Sequence, residues 1–239
     1  MRVYLEYMAK HKIKTSAADQ ITVVIPSAGE GRRMKSYGPK SLIEVSGETI
    51  LERQINIIKK ELGYVRFVIV TGFQCDKVMN YCPDYFIKLE NENYEITNVC
   101  RSLSIALRAV QTNRVLIIYG DLIFNSQAIS GLDYTTSCIS ANEDSYRNEE
   151  VGCIIDNENN ITNMMYDLKD KWNQMIYLQE KELSLFKQVC QDRENKKLFG
   201  FEIINKVLDL GGQIKCVSDK QIKVIDIDTS KDLLRANDI

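Results

Sequence analysis

The stretch VVIPSAGEGRRMKSYGPKSLIEV, residues 23–45, decides the fold predicted for this chain. It begins within an apolar, β-branched run, residues 21–25, which predicts a buried strand. The run ends in a loop of small residues, 27–31, followed by several cations and no acidic residue before Ile43. Glycines let backbone N–H groups approach an anion, and Arg and Lys neutralise it. A strand that ends in such a loop predicts a phosphate-binding site.

Composition limits what the chain is expected to bind. The sequence has 239 residues and a formal net charge of −2 at pH 7. Nucleic acids and anionic membranes need a large basic face, so neither is expected as the main partner. The cations of the loop are a local excess, which suits a small anionic ligand. We expect an N-terminal extension over residues 1–20 and one domain over residues 21–239, because no linker or repeat divides the latter.

Cysteine and histidine usage narrows the chemistry. Seven cysteines are scattered without a C-x-x-C pair, and His11 is the single histidine. These counts argue against a structural zinc site and against histidine-based acid–base catalysis. Scattered cysteines predict reduced thiols in a cytoplasmic protein. No stretch is apolar enough to span a membrane, and residues 1–20 lack the continuous apolar run of a signal peptide.

Strands and helices are predicted to alternate from residue 21 onward. In the first half, strands are predicted at residues 21–26, 65–70, 86–89 and 115–119, and helices at 49–62, 75–80 and 98–110. In the second half, strands are predicted at residues 135–140, 151–155, 161–165, 172–178, 213–217 and 222–227, and helices at 179–192, 200–210 and 229–236. This pattern predicts an α/β fold, a Rossmann-like, doubly wound, mixed and mostly parallel sheet.

The full opening string is more specific than its glycines. Gly29-x-Gly31-x-Arg33-Met34 is followed, seven residues after the arginine, by Pro39-Lys40-x-Leu42. It lacks the third glycine of the dinucleotide fingerprint and the helix start of a Walker loop. The string resembles the signature of the nucleotidyltransferases that activate sugar phosphates and phospho-alcohols with a nucleoside triphosphate. That family has a Rossmann-like, GT-A-like fold with the signature loop after its first strand.

Two later stretches narrow the resemblance. Residues 91–98, NENYEITN, and the Ser-Leu pair at 102–103 resemble an element of the phosphocholine cytidylyltransferases and related CTP-using enzymes. Residues 225–232, IDIDTSKD, resemble the terminal element of the same enzymes. The resemblance runs from residue 21 to the C-terminus and is patchy between residues 130 and 200. It implies a nucleotide-binding half, residues 21–130, and an acceptor-binding half, residues 131–239.

The resemblance also implies a role for individual residues. Arg33 would lie along the β- and γ-phosphates, and Lys40 would contact the α-phosphate. Asp121 would hold Mg²⁺ together with Asp228 or Asp226, since carboxylates are ligands that Mg²⁺ prefers. The other residues expected on the nucleotide side are Ala28, Gly29, Glu30, Gly31, Gly72, Asn98 and Gly120.

Simpler interpretations of these residues stay open at the level of sequence. Asp228 and Asn98 stand where a helix N-cap belongs, and Asp121 follows a glycine where aspartate commonly caps a turn. Trp172 and Tyr177 could face a quaternary amine through cation–π contact, although a strand tryptophan is more often part of the core.

The sequence therefore predicts a Mg²⁺-dependent cytidylyltransferase. It would join CTP, or another nucleoside triphosphate, to a small phosphate monoester such as choline phosphate and release pyrophosphate. One alternative is a uridylyl or other nucleotidyltransferase for a sugar 1-phosphate. An alternative of another class is a non-catalytic nucleotide-binding domain of the same fold, which would be expected to lose Lys40 or Asp121. The oligomeric state is open, and a homodimer is one option.

Overall fold

The structure is a computed structural model that describes residues 20–142, 150–237 and 239, without the side chains of Arg32 and Lys35. All of the predicted extension except Gln20 lies outside the described residues. In chain order the strands are β1 (Ile21–Ser27), β2 (Glu44–Val45), β3 (Glu48–Thr49), β4 (Arg66–Thr71), β5 (Ile87–Glu90), β6 (Arg114–Ile118), β7 (Leu122–Phe124), β8 (Cys138–Asn142), β9 (Val151–Ile155), β10 (Ile161–Tyr166), β11 (Asp170–Gln179), β12 (Lys215–Val217) and β13 (Val224–Asp226).

The helices lie between these strands and after them. They are α1 (Ile50–Leu62), α2 (Cys75–Tyr81), α3 (Val99–Ala109), α4 (Gln127–Ser130), α5 (Glu180–Gln191), α6 (Gly200–Asp209) and α7 (Ser230–Ala236), with 3₁₀ turns at Arg32–Tyr37, Lys40–Leu42 and Arg193–Lys197. Among the described residues, no helix is both long and apolar enough to cross a membrane.

Strand β1 lies in the middle of the main sheet. It pairs in parallel with β4 on one side and with β6 on the other, and β5 extends the sheet beyond β4. The long strand β11 joins β6 in the antiparallel sense and also pairs with β8 and β9. Within the described residues the sheet has nine strands, in the order β10-β9-β11-β6-β1-β4-β5, with β8 branching from β11 and β12 pairing with β8. The predicted fold class is confirmed, and its antiparallel pairs are concentrated in the second half.

The alternation of side chains along β1 explains why helices cover both faces of the sheet. Val24 packs into a cluster with α3, α5 and α6, whereas Val23 and Ile25 pack into a second cluster with α1. Successive side chains of a strand point to opposite faces, so a strand that is apolar throughout requires cover on both. Helix α1 has the predicted bounds, because the Thr49 side chain accepts a hydrogen bond from the Glu52 N–H and caps its first turn.

The topology gathers the predicted site residues at one edge of the sheet. The parallel strands β1, β4 and β6 end at the same edge, where α/β folds usually bind ligands. Strand β7, which the sequence analysis does not predict, pairs with β13 so that Leu122 lies opposite Asp226. This short pairing brings the end of the chain back to the loop that follows β6.

Candidate active site

Three aspartates meet at this edge. Asp121 follows β6, Asp226 ends β13, and Asp228 lies two residues further on. Each offers a carboxylate oxygen, and these three atoms lie within 4.8 Å of one another. The N–H of Ile227 donates to the Asp121 carbonyl at 3.0 Å, which ties the two segments together between the carboxylates. The sequence prediction that Asp121 meets a carboxylate from the terminal element agrees with this geometry, and both predicted alternatives for that carboxylate are present.

Lys40 reaches into the same cluster. Its Nζ donates to Asp121 Oδ2 at 3.0 Å and to Asp228 Oδ1 at 2.5 Å. Burial alone would lower the pKa of Lys40, but the carboxylates of Asp121, Asp226 and Asp228 outweigh burial and raise it above its ordinary value. Lys40 is therefore an ammonium ion at neutral pH.

Gly31 explains how the loop and Lys40 can lie so close together. Gly31 has a φ of 55°, and a Cβ at this position would come within 2.9 Å of Lys40 Cε. A side chain here would be strained by the backbone and would displace the lysine. The spacing between the loop glycines and Lys40 in the sequence therefore reflects direct packing of one on the other.

The carboxyl group of Asp226 has a raised pKa. Burial and the neighbouring carboxylates of Asp121 and Asp228 together raise its pKa to about 7, against the opposing effects of Lys40 and of the hydrogen bond from Gln174. Its Oδ2 accepts a hydrogen bond from Gln174 Nε2 at 2.7 Å. Its Oδ1 is buried and has no hydrogen-bond partner among the described residues.

The aspartate cluster is suited to a divalent cation. One ammonium ion leaves the three carboxylates undercompensated, and a buried carboxylate oxygen without a partner is rare in native structures. Hard oxygen ligands of this kind suit Mg²⁺, which usually binds through one or two carboxylates, phosphate oxygens and water. Asp121, Asp226 and Asp228 are the residues that would hold it.

A cleft opens beside this cluster. It has a volume of about 430 Å³ and lies between the signature loop and the segment before α3. It is lined by Pro26, Ala28, Gly29, Glu30, Gly31, Asn91, Tyr94, Glu95, Thr97, Asn98, Val99 and Ser102. The buried Asn91 shapes its floor by donating from Nδ2 to Thr97 Oγ1 at 3.2 Å and to Ser102 Oγ at 3.1 Å. Gly31 both lines the cleft and packs on Lys40, so the cleft and the cluster lie next to each other.

The other predicted nucleotide-side residues lie around the cleft in different ways. Ala28, Gly29, Glu30, Gly31 and Asn98 line it. Gly120 is buried, and its N–H donates to the Pro26 carbonyl at 3.2 Å. Gly72 is also buried, and a Cβ there would come within 2.7 Å of the Ala28 carbonyl and 2.9 Å of Tyr94 Cβ. Gly72 therefore allows the two walls of the cleft to approach each other. Arg33 is exposed on the 3₁₀ turn Arg32–Tyr37, outside the lining of the cleft.

The structure decides two of the capping alternatives. Asp228 does not cap α7, because the Thr229 N–H and hydroxyl both donate to Asp232 Oδ2 at 2.8 Å while Asp228 faces Lys40. Asn98 stands at the start of α3, but its side chain makes no capping bond and donates to the carbonyl of Lys197 instead. Helix capping therefore explains neither side chain.

The structure argues against the contact of Trp172 and Tyr177 with a quaternary amine, which the sequence leaves open as the less favoured interpretation. Tyr177 is fully buried, and its hydroxyl donates to Gln179 Oε1 at 2.9 Å. Trp172 is 5% exposed, and its Nε1 donates to the Met175 carbonyl at 3.1 Å. Both rings belong to the hydrophobic core, Trp172 in one cluster of the sheet and Tyr177 in the other, as the simpler interpretation of a strand tryptophan suggests.

Two glutamines near the site are absent from the predictions. Gln54 lies on the apolar face of α1, and its Nε2 donates to the carbonyls of Tyr119 and Leu122 at 2.9 and 2.7 Å. A polar residue at helical spacing between Ile50 and Ile58 is a signal that could have identified it. Gln174 carries no such signal, because its contact with Asp226 depends on strand pairing.

Comparison with known proteins supports the predicted resemblance. Residues 23–133 match the family described as MobA-like NTP transferase domain. A stretch of 118 residues is 29% identical to the bifunctional protein GlmU of Francisella tularensis subsp. novicida (strain U112), covering 49% of this chain. The match spans 26% of that protein, so it reaches about a quarter of the relative's length.

Solved structures resemble almost the whole chain. The CTP:phosphocholine cytidylyltransferase of Streptococcus pneumoniae aligns with a TM-score of 0.77 and 15% identity, covering 92% of this chain and 98% of that one. A UDP-glucose pyrophosphorylase complexed with UDP-glucose aligns with a TM-score of 0.72 and 12% identity, covering 92% and 97%. At such low identity these likenesses establish the fold.

Proposed function

We propose that the protein is a Mg²⁺-dependent cytidylyltransferase, and we proceed from the match of residues 23–133 to the family described as MobA-like NTP transferase domain. It transfers the cytidylyl group of CTP to a small phosphate monoester and releases pyrophosphate. A phospho-alcohol such as choline phosphate is the proposed acceptor class.

The observation that carries this proposal is the meeting of Lys40 with three aspartates beside the cleft. In the proposed reaction a phosphate oxygen of the acceptor forms a bond to the α-phosphorus. The bond from that phosphorus to the bridging oxygen of the β-phosphate breaks, and pyrophosphate leaves with the electron pair. The attacking phosphate is already ionised, so no general base is required, and the scarcity of histidine does not count against the reaction.

Residues of this chain supply positioning and charge. Backbone N–H groups of the signature loop, residues 28–31, hold the nucleotide in the cleft, and Arg33 is proposed to reach its β- and γ-phosphates. Lys40 neutralises negative charge on the α-phosphate. This matters because the attacking group is a second anion, which the α-phosphate would otherwise repel. Magnesium, when bound to the aspartates, adds charge neutralisation of the phosphate oxygens.

The choice of CTP and of a phospho-alcohol rests on two kinds of support. The residues 91–98 and 225–232 resemble elements of CTP-using enzymes, and one similar structure is a CTP:phosphocholine cytidylyltransferase.

A uridylyl or other nucleotidyltransferase for a sugar 1-phosphate is the second candidate. It is supported by the likeness to a UDP-glucose pyrophosphorylase. A non-catalytic nucleotide-binding domain is less consistent with the site, because such a domain has no need to retain Lys40, Asp121 and Asp228 together.

The deciding experiment measures pyrophosphate release with each of four nucleoside triphosphates against choline, inositol and glycerol phosphates and hexose 1-phosphates. We expect release with CTP and a phospho-alcohol, and a loss of about 10²–10³ in kcat for Lys40→Ala, as for the removal of other electrostatic contacts to a transition state. Lys60→Ala is the matched control, since the Lys60 side chain is 72% exposed.

Two results would count against the proposal. Preference for UTP with hexose 1-phosphates would transfer the assignment to the second candidate. No release with any triphosphate, or full activity of Lys40→Ala, would contradict nucleotidyl transfer at this site.

A further inference from the structure

Strand β11 contains a bulge next to the aspartate cluster. Trp172 pairs with Ala141 and Ile176 pairs with Ile139, so four residue steps on β11 lie opposite two on β8. Within the bulge, Gln174 has a φ of 55°, in the left-handed region that disfavours residues with a Cβ. Strained backbone of this kind persists where the surrounding structure requires it, and such positions cluster at functional sites.

The contacts around the bulge hold its residues in fixed directions. Asn173 is buried, and its Nδ2 donates to Ser140 Oγ at 2.8 Å. Trp172 Nε1 donates to the Met175 carbonyl at 3.1 Å and closes the bulge from within. Between these anchors, the side chain of Gln174 points to the aspartate cluster and donates from Nε2 to Asp226 Oδ2 at 2.7 Å. The strained residue is thus the one that reaches the site.

This hydrogen bond distinguishes the two oxygens of Asp226. A carboxylate only accepts, so the amide must present its NH₂ group to it, and the orientation of Gln174 is determined. Oδ2 is then occupied, while Oδ1 has no partner among the described residues. Ligating carboxylates are commonly oriented by such outer hydrogen bonds, whose loss weakens metal binding.

We infer that Gln174 is a positioning residue that fixes the carboxylate of Asp226 for a divalent cation, so the β11 bulge serves the metal site formed by Asp121, Asp226 and Asp228. The inference deepens the proposed function and rests on it for the identity of the cation. It assigns Gln174 a role that it performs through Asp226. It also gives a reason for strain in a strand that is otherwise regularly paired.

The test separates a positioning role from a structural one by measuring metal affinity and unfolding temperature in variants of Gln174. Gln174→Gly removes the amide and also relieves the positive φ, and Gln174→Asn keeps an amide that is one methylene too short. For both variants we expect the Kd for Mn²⁺, measured on the metal-free protein by the electron paramagnetic resonance of free Mn²⁺, to rise about tenfold. Gln174→Gly should unfold at the same temperature as the unchanged protein, or higher.

A matched control is available in the same chain. Gln74 also has a left-handed backbone, with a φ of 49°, and is exposed at the start of α2. Gln74→Gly should relieve strain in the same way without changing the Kd for Mn²⁺. In the pyrophosphate assay, the Gln174 variants should need about tenfold more Mg²⁺ for half-maximal rate, with kcat at saturating Mg²⁺ retained.

The results distinguish failure of the positioning role of Gln174 from failure of the proposed reaction. A Kd for Mn²⁺ within twofold of the unchanged protein in both variants would overturn the inference. So would a lower unfolding temperature of Gln174→Gly with an unchanged Kd, which would assign the bond to folding alone. If the Kd rises as expected but no triphosphate yields pyrophosphate, the positioning role stands and the proposed reaction fails. Absence of Mn²⁺ binding to the unchanged protein would also overturn it.

Discussion

Lys40 contacts the aspartates in this structure, and in the proposed reaction it also contacts the phosphates of the nucleotide. Its Nζ lies within hydrogen-bond distance of Asp121 and Asp228, two of the three residues that would hold a divalent cation. An ammonium ion so placed offsets part of the repulsion among the carboxylates. It also opposes the binding of a second cation at the same oxygens. In the proposed reaction the incoming phosphates give Lys40 another partner.

The first prediction concerns this competition. Lys40→Met keeps most of the aliphatic stem and removes the charge, so the carboxylates lose their internal counter-ion. We expect the protein without nucleotide to bind Mn²⁺ about tenfold more tightly, because a unit charge a few ångströms away contributes at least ~1.4 kcal/mol even with screening. A Mn²⁺ titration measures the change, with Lys60→Met as the control. Weaker binding by Lys40→Met would show that Lys40 supports the metal site instead of competing for it.

The second prediction concerns Gly72. Gly72→Ala places a methyl group 2.7 Å from the Ala28 carbonyl and 2.9 Å from Tyr94 Cβ, so the walls of the cleft must separate. Overpacking of this kind costs about 1–3 kcal/mol, and we expect a lower unfolding temperature and a higher KM for the nucleotide. Gly29→Ala is the control for stability, because a Cβ there has nothing within 4 Å. Equal unfolding temperatures of the two variants would contradict this packing role.

At the scale of elements, helix α1 connects the core to the site. Its apolar face carries one buried amide, Gln54, which donates to the carbonyls on both sides of the turn that presents Asp121. The bounds of α1 follow from its sequence, because Thr49 caps it and its apolar residues recur at helical spacing. The partner of Gln54 does not follow from sequence, because Tyr119 and Leu122 approach α1 only after β6 and β7 have formed.

The third prediction tests this connection. Gln54→Leu removes the amide donor, so the carbonyl groups of Tyr119 and Leu122 lose this hydrogen bond inside the protein. We expect a loss of about 1–3 kcal/mol in the free energy of unfolding for the unsatisfied groups, and a higher Kd for Mn²⁺ because the Asp121 turn is released. Chemical denaturation and the Mn²⁺ titration measure the two effects, with the exposed Lys60→Leu on the same helix as control. A stability loss without any change in Kd would limit Gln54 to a structural role.

At the scale of the whole molecule, the nucleotidyltransferase resemblance predicted from the signature string is confirmed by the family match over residues 23–133. The division into nucleotide-binding and acceptor-binding halves stays a prediction. One sheet runs through both halves, since β6 of the first pairs with β11 of the second. The oligomeric state, for which a homodimer is one option, likewise stays open to experiment.

The fourth prediction concerns ligand binding by the folded chain. A cation that binds the aspartate cluster of the native state but not the unfolded chain stabilises the former. At a hundredfold excess of Mg²⁺ over its Kd we expect the unfolding temperature to rise by roughly 5–10 °C, reversed by a chelator. Asp121→Asn should largely abolish the rise, whereas Asp209→Asn, at the exposed end of α6, should retain it. An equal rise in both variants would place the cation elsewhere.

Sequence by itself determined the strand–loop signature, the spacing from Arg33 to Lys40 and the segments that become most strands and helices. These features are local, because they depend on apolar periodicity, capping residues and the conformational freedom of glycine. The resemblance implied that Asp228 or Asp226 joins Asp121, but only the tertiary structure decided that both do so, that Lys40 contacts the cluster, and that Gln54 and Gln174 support it. The pairing of β7 with β13 and the bulge of β11 bring together residues separated by up to 188 positions in the chain. No local pattern records such contacts, because their energies arise only when distant strands have settled into register.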